Sequence, residues 1–217
     1  MHYALPLNGL RKSSDSGFRT LVSTDIKFSD GDNALQAFFK TTPANPFTIS
    51  DANWRSGTSI PPDVVPTKAQ LTKGDEIYDC RIVRGGAMLV SARFKDCVEE
   101  LEPGRHQFFP ITVEDKRGTF KPGPFFIFNV VGYIDSIIEE QSNLKASGRG
   151  QIKAWGYTRR VGPWKCALNT SVIGARACWT ELRYEGRWFV SDRLAEIMRA
   201  RGLMGFAFDE HCQEVSI

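Results

Sequence analysis

The chain has 217 residues, of which 41% are hydrophobic and 24% charged, a composition typical of a soluble globular protein large enough to bury its own core. Its formal net charge of +3 is too small to indicate a protein that works through bulk charge, and no apolar stretch approaches the ~20 residues of a membrane helix. The five cysteines form no CxxC pair, which argues against a disulfide scaffold and a zinc site, and three histidines are too few for a histidine-rich metal centre. Because residues 1–14 also lack the basic lead and apolar run of a signal peptide, we expect a cytoplasmic protein with reduced thiols and no metal.

The first 53 residues are rich in turn-forming residues and only weakly patterned. One segment among them, NALQAFFK, is compatible with a short helix, and the large apolar side chains around it need burial. We therefore predict that residues 1–53 form an irregular N-terminal layer packed on the core. Residues 54–217 are predicted to form an α+β domain with a mixed, mostly antiparallel sheet and a few short amphipathic helices, so that the whole chain is a single structural unit.

The clearest local pattern lies between Ala87 and Val113. The apolar run AMLV predicts a buried strand, and Ser91 directly after it predicts a helix N-cap. The apolar residues behind the cap recur at the spacing of one helical face, and they are Phe94, Cys97, Val98 and Leu101. Pro103 and Gly104 then predict the end of the helix, and HQFFPITV predicts the next strand.

His106 stands among acidic residues and arginines, so a catalytic role has to be weighed against a structural one. Three carboxylates crowd the end of the predicted helix, namely Glu99, Glu100 and Glu102. The helix dipole disfavours them there, so they need a partner such as Arg105 or Arg93. Because the chain shows no GxSxG, SxxK or Cys–His signature, we predict a structural histidine at a strand start, no catalytic residue and no cofactor. An enzyme is a rival hypothesis, which a strongly perturbed carboxylate in a deep pocket would favour.

The apolar segment Pro124–Ile134 predicts one buried strand, and a short helical turn or loop is predicted at residues 135–141. The composition of the chain changes after this turn. From Gln141 to Thr180 there is no carboxylate but there are seven lysines and arginines. Within this region cations alternate with aromatic rings along the predicted strand QIKAWGYTRR and the residues after it. The set consists of Lys153, Trp155, Tyr157, Arg159, Arg160, Trp164 and Lys165.

Two interpretations of this basic and aromatic set remain open. Exposed tryptophan, tyrosine and arginine side chains are typical of a binding hot spot, which predicts a partner-binding surface. Alternatively, the segment is a plain strand whose alternate residues pack on the core. A nucleic-acid-binding module that uses residues 145–176 is the alternative function, although no nucleic-acid-binding motif is legible and the sequence pI is only about 8.6.

A second strand–helix pattern follows one hundred residues after the first. RWFV predicts a strand that follows a turn at Glu185 and Gly186, Ser191 predicts the helix cap, and Gly202 predicts the helix end. The helical stripe consists of Leu194, Ile197 and Met198. Because few positions are identical between the two patterns, they indicate a recurring local solution more strongly than an internal duplication.

Five motifs, taken in order, resemble one known family. They are WRSG at 54–57, YDCRIV at 78–83, MLVSARFKDCVEELEPGRHQFFPI at 88–111, FFIFNVVGYIDSI at 125–137 and RWFVSDRLAEIMRARGLMGFAF at 187–208. Over about residues 54–208 the chain is similar to bacterial immunity proteins of polymorphic toxin systems, a family formerly known as a domain of unknown function. The recurring residues of that family match Ser91, Phe94, Pro103, Gly104, Phe108, Phe109, Pro110, Ser191, Leu194 and Gly205 of this chain.

The resemblance implies an α+β protein that is not an enzyme and acts in the cytoplasm. It implies that the protein is encoded beside a secreted or contact-delivered toxin and blocks that toxin by binding it. The expected partner is therefore the C-terminal domain of a cognate toxin, without a cofactor or a membrane, while nucleic acid is disfavoured and a homo-oligomer is left open. The family pattern is weakest at Arg149–Cys178, where specificity for the partner is expected to lie.

Overall fold

The computed structural model describes residues 2–5, 25–42, 52–74, 76–83, 85–143, 145–147, 154–156, 165–182, 184–208 and 212–216. The α-helices in these residues are α1 (Asp32–Thr41), α2 (Ala92–Leu101), α3 (Thr170–Ile173) and α4 (Asp192–Ala200). The strands are β1 (His2–Leu5), β2 (Ile26–Phe28), β3 (Lys68–Leu71), β4 (Cys80–Ile82), β5 (Met88–Ser91), β6 (Gln107–Glu114), β7 (Phe125–Asn129), β8 (Tyr133–Ile134), β9 (Lys145–Ser147), β10 (Ala154–Gly156), β11 (Cys166–Asn169), β12 (Cys178–Glu181), β13 (Tyr184–Ser191) and β14 (Cys212–Val215). Short 3-10 helices lie at Pro62–Val64 and Glu139–Gln141.

The larger sheet has six strands in the order β2–β3–β6–β7–β5–β4. Only β3 and β6 are parallel, and the other neighbours are antiparallel. The long strand β6 shows why the sequence forms a sheet here. Its residues Phe109, Ile111 and Val113 are buried and alternate with exposed positions, which is the period of a strand with one face on a core.

The second sheet has four strands in the order β1–β13–β12–β8, with β8 parallel to β12 and the other pairs antiparallel. Two small pairs accompany it, the antiparallel β9 and β10 and the parallel β11 and β14. The protein is therefore an α+β protein with mixed, mostly antiparallel sheets, and the predicted fold class is confirmed.

Two parts of the fold repeat the same local construction. In the first unit (residues 80–101) β4 and β5 form an antiparallel pair that leads into α2. In the second unit (residues 178–200) β12 and β13 lead into α4 in the same way. Cys80 pairs with Val90 in the first unit, and Cys178 pairs with Val190 in the second. The recurring sequence pattern thus corresponds to a recurring hairpin–helix structure.

Both helices of these units begin at a serine cap, as the sequence predicts. The Oγ of Ser91 accepts a hydrogen bond from the backbone N–H of Phe94 (3.2 Å), and the Oγ of Ser191 accepts one from that of Leu194 (3.3 Å). Each bond satisfies a backbone donor that has no partner within the helix. The buried helical faces consist of Phe94, Cys97 and Val98 in α2 and of Leu194, Ala195 and Met198 in α4.

The two helices lie alongside each other and pack against both sheets to form the main core. Strand residues that share this core with them include Met88, Val90, Phe128, Cys178 and Trp188. A second core lies beneath α1 and a third beside α3. All five cysteines are buried within these cores.

The described part of the N-terminal region contains a strand and a helix between residues 25 and 42. Residues 25–42 form β2 and α1, and α1 contains the predicted helix NALQAFFK. Leu35 and Phe39 lie four positions apart on one face of α1 and are buried with Trp54. Because this amphipathic spacing docks α1 on the core, the helix predicted at NALQAFFK is confirmed, and the irregular layer over residues 1–53 as a whole stays a prediction. The boundary between residues 53 and 54 stays a prediction.

Two further sequence predictions were wrong in their boundaries. The segment Pro124–Ile134 is two strands, β7 and β8, because the chain turns at Gly132, which has φ +88° and donates its N–H to the Gly57 carbonyl (2.8 Å). The turn predicted at Glu185 and Gly186 is part of β13 instead. The register of β12 against β13 shifts between Thr180 and Glu181, so a bulge accommodates these residues within the strand pair.

Candidate functional site

Hydrogen bonds join the described residues on either side of positions 144–164. The backbone N–H of Asn143 donates to the Lys165 carbonyl (3.1 Å), and the Lys165 N–H donates to Oδ1 of Asn143 (2.6 Å). One step further in, the Oγ of Ser142 accepts the N–H of Ala167 (2.9 Å). Residues 144–164 therefore lie between two chain ends that are bonded to each other, and we call them the basic excursion.

The basic excursion contains a short hairpin. Strands β9 and β10 pair antiparallel, with Trp155 opposite Ala146, and β10 lies beside β13 of the second sheet. The excursion carries Lys145, Arg149, Lys153, Arg159 and Arg160 and no carboxylate. A surface of this composition favours an acidic partner, because no charge within the segment neutralises its cations.

The predicted partner-binding residues are only partly placed. Trp155 lies in β10, and Lys165 is exposed at the base of the excursion. Lys153, Tyr157, Arg159, Arg160 and Trp164 lie outside the described residues. Their assignment to one binding surface therefore stays a prediction.

His106, which invites a catalytic interpretation, is buried where the two units meet. Its Nδ1 accepts a hydrogen bond from the Val131 backbone N–H (3.2 Å), and its Nε2 lies 3.0 Å from Oε2 of Glu102. Because a backbone N–H can only donate, Nδ1 carries no proton. The ring proton is therefore on Nε2, and the Nε2–H donates a hydrogen bond to Glu102. The ring also packs edge-on against Phe128. These are the contacts of a structural histidine at a strand start, as predicted.

The carboxylate of Glu102 joins the two units. Its Oε2 also accepts the backbone N–H of Cys178 (2.9 Å), and the guanidinium of Arg105 lies 3.2 Å from its Oε1. Burial opposes ionisation of Glu102, but the hydrogen bonds from His106 and Cys178 and the charge of Arg105 outweigh burial. The pKa of Glu102 consequently lies below its ordinary value. An ionised group at the end of α2 thus holds the first strand of the second unit.

Of the two partners predicted for the helix-end carboxylates, Arg105 is confirmed and Arg93 is wrong. Arg93 lies 3.4 Å from Oδ2 of Asp79 and donates to the backbone carbonyl of Arg201. Glu100 pairs instead with Arg201, because α4 lies alongside α2. The sequence could not indicate this pair, since its members are far apart along the chain.

Asp79 makes the reverse link, from the first unit to the chain that follows α4. Its Oδ2 accepts the backbone N–H of Met204 (3.0 Å), and its Oδ1 accepts the hydroxyl of the cap residue Ser91 (2.7 Å). The Cys80 N–H donates to the Met204 carbonyl (3.2 Å). The strand start of each unit is therefore bonded to the chain that follows the helix of the other unit.

Glu181 is a third buried carboxylate, and sequence reasoning missed it. It is 1% exposed, and its oxygens accept the Ser136 hydroxyl, the Ser136 N–H (3.1 Å) and the indole N–H of Trp179 (2.9 Å). Burial outweighs these bonds and raises the pKa of Glu181 from 4.5 to about 7. Both oxygens are bonded within the core, so Glu181 is not presented to a substrate. The only sequence signal is an acid within the apolar strand CWTE.

Gly205 shows why one residue of the resemblance has to be glycine. Its φ is +104°, and a Cβ added to it would lie 2.1 Å from the Cys80 carbonyl oxygen and 2.7 Å from the Cβ of Tyr78. No side chain fits at that distance, because the contact is with backbone that cannot move aside. Gly205 thus allows the chain after α4 to lie directly on β4.

The other motif residues of the resemblance have structural places as well. Pro103 and Gly104 (φ +66°) form the turn after α2, while Phe109 is buried in β6. Phe108 stacks on Phe128 with ring centroids 4.7 Å apart, and Pro110 is exposed on the same strand. Packing thus accounts for Phe108 and Phe109, and turn geometry accounts for Pro103 and Gly104.

Within the described part of the chain, no group of three or more histidine, cysteine, aspartate or glutamate side chains could hold a metal ion. Four adjacent residues of metal-ligating type stand near the end of the sequence, at Asp209–Cys212, and the first three of them lie outside the described residues. None of the described helices combines the length and apolar character that crossing a membrane requires.

Comparison with known proteins identifies the family. The model of an immunity protein family, Imm11, matches residues 40–213, which begins before and ends after the resemblance predicted at residues 54–208. No curated protein matches the chain. Because the match covers most of the sequence, the chain belongs to the Imm11 immunity protein family.

Proposed function

We propose that this protein binds a cognate bacterial toxin in the cytoplasm and neutralises it by forming a tight non-covalent complex, without catalysing a reaction. The observation that carries the proposal is membership of an immunity protein family over residues 40–213. The chemistry of the described residues is consistent with it. His106, Glu102 and Glu181, which would be the natural acids and bases of an enzyme, are all bonded within the interior.

An immunity protein must leave almost no toxin free. Nanomolar affinity corresponds to a binding free energy of about −12 kcal/mol. A few desolvated aromatic and arginine side chains contribute most of such an energy, and complementary charge accelerates capture. The binding surface should therefore combine rings and cations on a supported part of the fold.

The basic excursion meets this description, and we assign it to the toxin-binding surface. Its base is fixed by the reciprocal bonds between Asn143 and Lys165, and no carboxylate interrupts its cations. The residues assigned to the surface are Lys153, Trp155, Tyr157, Arg159, Arg160, Trp164 and Lys165. The partner that fits them is an acidic face of a toxin.

The test is to co-express the protein with the C-terminal domain encoded by the neighbouring gene, purify the complex and measure its Kd. Replacing Trp155 or the Arg159 and Arg160 pair by alanine should raise the Kd by about tenfold or more. Lys40→Ala on the exposed face of α1 is the matched control and should leave it within about threefold. Equal Kd values for all variants would remove the basic excursion from the binding surface, and no complex at all would contradict the proposed function.

The alternative function, nucleic-acid binding, rests on the same acid-free segment. The dependence of binding on salt concentration distinguishes it from toxin binding. Binding of a labelled single-stranded oligonucleotide through phosphate contacts would weaken steeply as salt rises, with a slope set by the number of contacts. We expect no saturable oligonucleotide binding at physiological salt. Saturable binding that the Arg159 and Arg160 substitutions abolish would favour the alternative.

A further inference from the structure

Outside the basic excursion, one exposed aromatic side chain stands out on the surface. Phe120 is 63% exposed, more than the other exposed large apolar side chains of the described residues, Met204, Tyr133 and Val172. It lies between β6 and β7, in the segment of residues 115–121 that we call the Phe120 loop. A single exposed apolar residue is common on protein surfaces, so the structure around Phe120 decides its meaning.

The Phe120 loop is held in one conformation. The Asp115 carboxylate accepts the backbone N–H groups of Arg117 (2.8 Å) and Thr119 (2.9 Å). The Asp115 N–H donates to the Thr119 carbonyl (2.8 Å), and the Gly118 N–H donates to the Asp115 carbonyl (3.0 Å). Phe120 itself forms a β-bridge with Glu114. The ring is thus presented on a loop whose backbone hydrogen bonds are already made, which lowers the entropic cost of binding.

Three cations lie close to Phe120 along the chain. Lys116 and Arg117 are exposed, and Lys121 follows Phe120 directly. The nearby acids are Glu114, which is half-buried, and Asp115, which is turned towards the loop backbone. The bond from the Thr119 N–H, then that from the Arg117 N–H, lowers the pKa of Asp115, so its charge serves to hold the loop. The loop thus carries one exposed apolar side chain and two exposed cations, while its own acid is turned towards the backbone.

We propose that the Phe120 loop is a preformed anchor that places the Phe120 ring in an apolar pocket of the toxin, with Lys116 and Arg117 facing carboxylates around that pocket. This inference rests on the proposed function and adds a second contact to the basic excursion. An aromatic centre with an arginine beside it is the composition of an interface hot spot. Nucleic acid fits less well, because one ring provides no stacking series for successive bases.

The first experiment measures association and dissociation of the neighbour-encoded C-terminal domain on immobilised immunity protein. Phe120→Ala should raise the Kd by about tenfold or more, mainly through faster dissociation, because a buried anchor acts after encounter. Met204→Ala is the matched control, since Met204 is 58% exposed elsewhere on the surface, and should change the Kd by less than about threefold. Phe120 is exposed, so its replacement should leave the urea midpoint of unfolding unchanged.

Two further variants test the cations and the rigidity separately. The double substitution Lys116→Glu with Arg117→Glu should slow association several-fold at low salt, with a smaller effect at high salt because ions screen exposed charges. Asp115→Ala keeps the ring and both cations but loosens the loop. It should therefore weaken binding less than Phe120→Ala does.

Each outcome decides between the hypotheses. Wild-type binding with Phe120→Ala and the double charge variant both within about threefold overturns the Phe120 anchor and leaves the immunity function intact. Failure of the wild-type protein to bind overturns both. Saturable binding of a labelled single-stranded oligonucleotide that is lost in the double charge variant assigns the loop to nucleic acid instead and overturns the protein anchor.

Discussion

The two hairpin–helix units share a strand register and a serine cap but differ in the chemistry with which they hold each other. The first unit and its flanks supply both buried carboxylates of the junction, Asp79 and Glu102. The second supplies backbone N–H groups, those of Met204 and Cys178. At the equivalent positions of the second unit stand Ala177 and Gly202, which have no side-chain acceptor.

This difference teaches that similar local structure does not imply a shared energetic role. The first unit holds the second through two buried carboxylates, Asp79 and Glu102, which we call the charged clamp. The second unit is held through its backbone N–H groups. The charged groups at this junction therefore stabilise the contact between the two units. We therefore seek the charged groups that bind a partner beyond this junction, on the basic excursion and the Phe120 loop.

The largest expected effect is that of Glu102→Ala. It removes the acceptor of both the His106 Nε2–H and the Cys178 N–H, and it leaves these buried donors unpaired. We expect the free energy of unfolding to fall by about 3–5 kcal/mol, measured by urea denaturation. If the clamp account is right, binding of the toxin should survive wherever the variant remains folded.

Glu100→Ala is the matched control for that substitution. Glu100 lies two positions earlier, on the exposed side of α2, where its pair with Arg201 is solvated. The midpoint of unfolding should barely change, since exposed ion pairs contribute little. Equal losses for the two variants would contradict the view that the clamp is located at Glu102.

The pH dependence of stability should reveal Glu181. Its pKa is about 7 in the folded protein and near 4.5 when unfolded, so the stability it contributes is full below about pH 4.5 and is lost as the pH rises through about 7. The loss is on the order of 3 kcal/mol. Subtracting the unfolding free energies of Glu181→Gln from those of the wild type at each pH isolates this contribution. A difference that stays constant across the window would show that Glu181 does not titrate there.

A smaller effect should distinguish the two caps. Ser191→Ala removes one bond to the Leu194 N–H and should cost about 1 kcal/mol. Ser91→Ala removes the bond to Phe94 and also the donor to Asp79, so it should cost about 2 kcal/mol. Urea denaturation of both variants measures the difference. Equal losses in the free energy of unfolding would mean that the hydrogen bond from the Ser91 hydroxyl to Asp79 does not contribute to stability.

Local features of the fold could be predicted from the sequence because local residues cause them. A serine after an apolar strand and an apolar stripe at helical spacing were sufficient to place α2 and α4. The strand that contains Phe109 was predicted from the segment HQFFPITV, which follows the helix end at Pro103 and Gly104. The family resemblance depended on these same residues, so the motif and the fold agree.

Features made by residues distant along the chain could not be predicted. The acceptor for Met204 is Asp79, and that for Cys178 is Glu102, and no periodicity links these positions. The split between β7 and β8 depends on a bond from Gly132 to Gly57, on another part of the chain. The binding surface is the extreme case, because its selection depends on a partner that is absent from the sequence.

The most direct test of the immunity function is survival. The C-terminal domain encoded by the neighbouring gene would be expressed in bacteria with and without this protein, and surviving colonies counted. The account predicts killing by that domain alone and rescue when the protein is present, with rescue retained by Lys40→Ala. Killing that continues at full strength beside soluble, folded protein would contradict the account.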